Sequence, residues 1–167
     1  MVLLPGELSV MELGQLEHKV IEKYFDKSNS YDESIHLSVV KFYLDIWLKE
    51  KTLPDHLRDE YFVEVVSYTQ KIIQVLAQMK EQLSLEHEFE YDFASDHDGV
   101  RYNGSIDCFL SGAGGKRKII LDFKRSNSVF SSYKSILEFD QIQLWFYMKR
   151  LLEKNLIEDN NEVAIGY

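Results

Sequence analysis

The sequence predicts an α/β protein: a helical N-terminal half, then a central mixed β-sheet flanked by helices. Three observations carry this. Apolar residues recur at helical spacing through about 9–82. At Leu85 the period changes to two. The apolar run Ile119-Ile120-Leu121 suits a central strand, and a helical stretch with one more strand-like segment follows it. With 167 residues, 45% hydrophobic and 13% aromatic, the chain supplies one domain, 1–167, with a sizeable core. Its helical part is expected at about 9–82 and its catalytic sheet and helix at about 85–167.

Ser9-Val10-Met11-Glu12 fits a capping box, and a helix should follow to about residue 26 with Leu13, Leu16, Val20 and Tyr24 inward. Ser28-Asn29-Ser30 breaks it. A second helix is expected over about 32–50, with Ile35, Val39, Phe42 and Ile46 as its stripe. After the turn Thr52-Leu53-Pro54-Asp55, a long third helix should span about 56–82 through Phe62, Val65, Val66, Ile72, Ile73 and Leu76. The alternation over 85–93 reads as a half-buried strand, and Asp96-His97-Asp98-Gly99 as a turn. A second strand is expected over 100–110, a flexible connection over 111–115 and a third strand over 118–123. A helix over about 136–155 and a last strand from 162 complete the order. The abrupt end at Ile165-Gly166-Tyr167 leads us to expect a piece of a longer protein.

Composition excludes several classes. No run of about 18 apolar residues indicates a membrane span, and the start lacks the basic flank of a signal peptide. A single cysteine, Cys108, rules out an internal disulfide and a multi-cysteine metal site, which suits a reducing, cytoplasmic setting. The net charge of −9 argues against nucleic acid, but its distribution argues otherwise. Between Gly99 and Lys134 lie seven basic residues and two acids, Asp107 and Asp122, so this segment carries about +5 and the remainder about −14. A basic surface around an acidic pocket suits a phosphate substrate, with Lys116, Arg117, Arg125 and Lys134 as candidate nucleic-acid contacts. A solubilising hairpin tip is the alternative for 116–118.

Asp122-Phe123-Lys124 ends the apolar strand, and alternation puts its acid and lysine on one face. A second acid-x-Lys match, Glu17-His18-Lys19, sits mid-helix, where i and i+2 do not share a face. Hairpin pairing would bring Asp107 of Gly104-Ser105-Ile106-Asp107 near Asp122. Two adjacent carboxylates repel unless a proton or cation lies between them, and together they can hold a hard divalent cation through oxygen. A strand-end salt bridge and a solvent-facing acid are the plain alternatives. Gln143 and Tyr147 lie one turn apart on the next helix; core packing is their alternative. Phe130 and Tyr133 are candidates for stacking on single-stranded bases.

These motifs, in this order, resemble the PD-(D/E)xK nuclease superfamily, and most of all its RecB-like exonuclease branch. The match runs through Gly14-Gln15-Leu16-Glu17-His18, Gly104-Ser105-Ile106-Asp107, Asp122-Phe123-Lys124 and Gln143-Leu144-Trp145-Phe146-Tyr147, covering about 10–167. The resemblance implies a restriction-endonuclease-like fold and a metal-dependent deoxyribonuclease, an exonuclease of DNA repair or recombination. It implies Mg²⁺ or Mn²⁺ on Asp107, Asp122 and His18. Lys124 would act on the attacking water or the scissile phosphate, and Gln143 and Tyr147 would position the strand or Lys124. Gly14 supports His18: a mid-helix glycine costs about 1 kcal/mol, and a close approach to another element would justify it. His36 competes with His18. An additional acid is expected on the first strand at Glu88 or Glu86, with Glu88 the first choice.

Some members carry a cysteine-bound iron–sulfur cluster; Cys108 does not match its positions, so none is expected in this chain. No phosphate-binding Gly-rich loop is present, so a helicase would be another segment or a partner chain. DNA, as single strands or duplex ends, is the expected partner, and no membrane is expected. The alternative function is a catalytically weak nucleic-acid-binding or structural module of a larger helicase–nuclease complex.

Overall fold

A computed structural model describes residues 7–49, 51, 53–97, 100–112, 114–123, 142–153, 156–157 and 161–166. It is a mixed α/β protein with a four-stranded mixed sheet, and it divides into two compact units, Met1–Gln82 and Leu83–Tyr167.

The first unit is helical. Helix α1, Val10–Phe25, starts on the expected capping box. Ser9 Oγ accepts from Glu12 N–H at 3.2 Å, and Glu12 Oε2 accepts from Ser9 N–H at 2.8 Å. Lys51 Nζ donates to Glu12 Oε1 at 2.8 Å. That bond, with the Ser9 bonds, holds the Glu12 carboxyl at about 2. Tyr24 closes the turn into α2, Glu33–Leu48: its hydroxyl donates to the Ser30 carbonyl and accepts from Asp32 N–H, both at 2.6 Å.

The stripe of α2 differs from the expected one. Phe42 and Ile46 are 58% and 50% exposed, while His36, Val39, Val40, Leu44 and Leu48 are buried. Two apolar rows run along this helix, and packing against α1 and α3 selected the other one. Helix α3, Asp55–Leu83, buries Val65, Thr69, Ile73, Leu76, Ala77 and Lys80. Lys80 is tied inward, its ammonium donating to Asn29 Oδ1 at 2.6 Å and lying 4.9 Å from the Phe25 ring centroid.

His36 is a core histidine of this unit. The Thr69 hydroxyl donates to the Val65 carbonyl at 2.7 Å, so its oxygen accepts from His36 Nε2–H at 2.8 Å. That leaves Nδ1 as an acceptor facing the Tyr31 hydroxyl at 3.5 Å. With both nitrogens directed at protein groups, His36 is not the competing metal ligand.

The second unit carries the sheet, in order β1-β2-β3-β4. Strand β1, Leu85–His97, and β2, Val100–Gly112, form a long antiparallel hairpin, longer than the alternation predicted. The pair His97↔Val100 leaves only 98–99 between them. Gly114 and Gly115 take φ of 81° and 74° in the next connection, where Gly115 N–H donates to the Gly112 carbonyl. Strand β3, Arg117–Leu121, pairs antiparallel with β2 and parallel with β4, Glu162–Gly166. Helix α4, Ile142–Glu153, packs Tyr147 and Leu151 onto Phe93, Ile106, Phe109 and Ile120.

Candidate functional site

The register of β2 against β3 fixes where the two acids stand. Its last pair is Cys108↔Leu121; one step further the same register aligns Asp107 with Asp122. Asp122 directly follows β3 and is 2% exposed; Asp107 is half-buried. A direct bond joins the two segments: Phe123 N–H donates to Asp107 Oδ2 at 2.5 Å. A charge-assisted bond of this kind holds a carboxylate more firmly than a neutral one.

On the other side of Asp107 stands Glu90. The β1–β2 register runs Phe89↔Cys108 and then Tyr91↔Ile106, so Glu90 lies opposite Asp107, where the ladder lacks a pair. Oxygens of the two carboxylates lie within 4.8 Å of each other. The Ser105 hydroxyl is 3.5 Å from Glu90 Oε2. Glu90 and Asp107 thus stand opposite each other on β1 and β2, with Asp122 one step past the end of β3. Glu90 takes φ of 49°, a left-handed conformation that is uncommon for a residue with a side chain.

Of the β1 acids, Glu90 is the one opposite Asp107; the expected Glu88 and Glu86 pair with Phe109 and Ser111, and all three are exposed. The signal was available in the sequence. Asp98-Gly99 has the sequence of a two-residue hairpin turn, and counting outward from it gives this register. That count puts residue 90 opposite 107.

Gly104 of the Gly-x-x-Asp motif has a packing role. A Cβ there would lie 2.5 Å from Phe93 Cζ and 2.8 Å from Cε1. The Phe93 ring lies across the glycine and packs edge-on against Tyr147, with centroids 5.5 Å apart. Tyr147 is 7% exposed, its ring within the core cluster of this unit. Gly14 behaves differently. A Cβ there meets no described atom within 4 Å, so no close approach explains this glycine.

His18 lies on α1 of the helical unit and is half-buried. Its neighbour Glu17 is fully buried, at the helical spacing of the inward Leu13, Val20 and Tyr24. Lys124, Arg125, Lys134, Phe130 and Tyr133 lie outside the described residues, and of Gln143 only the backbone is described. Lys116 is exposed. Arg117 Nε donates to Glu162 Oε2 at 2.8 Å, so part of the basic segment is matched by an acid of β4. The Lys118 ammonium lies 5.5 Å from the Phe109 ring centroid.

Chemically, the neighbouring Glu90 and Asp107 carboxylates offer hard oxygen donors, the donor type that magnesium, manganese and calcium take. No family model, curated protein or solved structure matches the chain.

Proposed function

We propose that the chain is a metal-dependent nuclease that hydrolyses phosphodiester bonds in DNA on a restriction-endonuclease-like fold. The observation that carries the reading is the bond from Phe123 N–H to Asp107, which joins the acid of β2 to the segment holding the buried Asp122. Burying a carboxylate is costly unless it is hydrogen-bonded, paired or bound to a cation. The donor set fits Mg²⁺ or Mn²⁺, with Asp107 and Asp122 as ligands and His18 as the further ligand that the sequence resemblance implies. Such a cation, when bound, lowers the pKa of its water and neutralises charge on the phosphate.

The residues of the chain do the rest. Lys124 orients the attacking water and stabilises negative charge on the scissile phosphate. Gln143 and Tyr147 position the strand, Tyr147 from a ring already fixed by Phe93. Exonuclease action in repair or recombination, and a helicase partner, rest on the resemblance.

A binding or structural module of a larger complex is the second reading. The net charge of −9 and the Arg117–Glu162 ion pair favour it. Calorimetry with Mn²⁺ on wild type and Asp122→Asn, with cleavage of linear and circular DNA on the same samples, decides between them. Binding and cleavage lost together in the variant support the nuclease. Cutting of circles overturns the exonuclease part. A wild type that binds no Mn²⁺ leaves the module.

A further inference from the structure

Side-chain alternation in the hairpin changes face at one place. Phe109 pairs with Glu88, so strict alternation would put it on the face opposite to Tyr91 and Ile106. Yet Ile106 and Phe109 belong to one core cluster, Tyr91 packs against it, and the Tyr91 and Phe109 rings lie 5.9 Å apart. Both strands therefore switch faces across the same step, between Phe89↔Cys108 and Tyr91↔Ile106. The residues at that step are Glu90, with its left-handed φ of 49°, and Asp107.

A left-handed residue within a strand bends and twists the chain locally and interrupts pairing. Backbone strain of this kind persists only where the surroundings hold it. Here its effect falls on Asp107. At this step the Asp107 carboxylate reaches the segment after β3, where it accepts from Phe123 N–H.

We propose that the left-handed backbone of Glu90 is a positioning device, which sets the Asp107 carboxylate against Phe123 and the segment of Asp122. The role belongs to the backbone of residue 90, not to its charge. It concerns the placement of Asp107 and does not depend on the nuclease reading.

The test is amide hydrogen exchange of Phe123, with the Ile120 amide on the same sheet reporting general stability. Asp107→Ala gives the exchange rate of an unheld Phe123 amide, about tenfold faster than wild type, as loss of one such bond predicts. Glycine adopts positive φ freely, whereas a β-branched residue there is a true outlier. Glu90→Gly and Glu90→Gln should leave Phe123 protected, the first by keeping the backbone and the second by showing that charge is dispensable. Glu90→Val should bring Phe123 to the Asp107→Ala rate while Ile120 changes little. If Glu90→Val does not fold, Glu90→Ala should fall between glycine and Asp107→Ala, and Glu90→Asn, which tolerates this conformation, should match glycine. Equal protection in the glycine and valine or alanine variants overturns the proposal. So does loss of protection in Glu90→Gln.

Discussion

Replacing Gly104 with alanine asks whether the glycine of the Gly-x-x-Asp motif serves packing. The added methyl would sit 2.5 Å from Phe93 Cζ and 2.8 Å from Cε1. Favourable carbon contacts begin near about 3.5 Å, so the ring must retreat by about 1 Å. It has little room: Phe93 is 4% exposed and its ring meets Tyr147 at an interplanar angle of 79°. Overpacking of this kind costs about 1–3 kcal/mol. For a chain of this size that lowers the midpoint of thermal unfolding by about 2–10 °C. Near-ultraviolet circular dichroism on heating reads it through the aromatic rings. The paired change Phe93→Leu supplies the control. It carries its own packing cost, but in its background Gly104→Ala should become nearly neutral, a coupling of about 1–2 kcal/mol. A Gly104→Ala chain within about 0.5 kcal/mol of wild type refutes the reasoning, and so does an equal penalty in both backgrounds.

Three further outcomes follow from the helical unit. Gly14→Ala should stabilise α1 by up to about 1 kcal/mol, because alanine propensity is gained and the methyl meets no described atom; urea unfolding measures it. Burial pushes the His36 imidazole below its ordinary 6.5. The unfolded chain then binds the extra proton first, so stability is full above about pH 6.5 and declines as pH falls toward the folded value. The urea midpoint should drop between pH 7.5 and 5.5 in wild type, with a flatter profile in His36→Gln. Glu12, held at about 2 by Lys51 and Ser9, contributes stability above its ordinary 4.5 that is lost as pH falls toward 2. Lys51→Ala should move the Glu12 carboxyl upward in carbon-detected titration, and an unmoved value would remove Lys51 as the chief cause.

The sequence was most legible where local chemistry decides the structure. Ser9 and Glu12 specify the start of α1 by themselves. The switch from helical to strand periodicity fell at Leu85, where β1 begins. The expected hairpin between β2 and β3 is present, and its register ends on Cys108↔Leu121, one step from Asp107 and Asp122. It was least legible where two patterns compete. In α2, Phe42 and Ile46 form as good a row as Val40, Leu44 and Leu48, and only tertiary packing chooses between them. Glu86, Glu88 and Glu90 have the same parity, so alternation cannot rank them; the register and the left-handed residue do. Gly104 read as part of a motif, and its reason, a ring from the neighbouring strand, is a contact between residues 11 apart in sequence.

The order of the strands has a consequence for how the chain assembles. β1, β2 and β3 form a meander closed by short connections, whereas Arg117 and its β4 partner Glu162 are 45 residues apart. Loop closure grows more costly with separation, by about 0.6 kcal/mol for each doubling. Closure entropy therefore favours forming the meander before β4 docks onto the edge of β3. Glu90, Asp107 and Asp122 all belong to the early part or directly follow it. The shorter closures of the meander thus favour aligning these acids before the last strand docks.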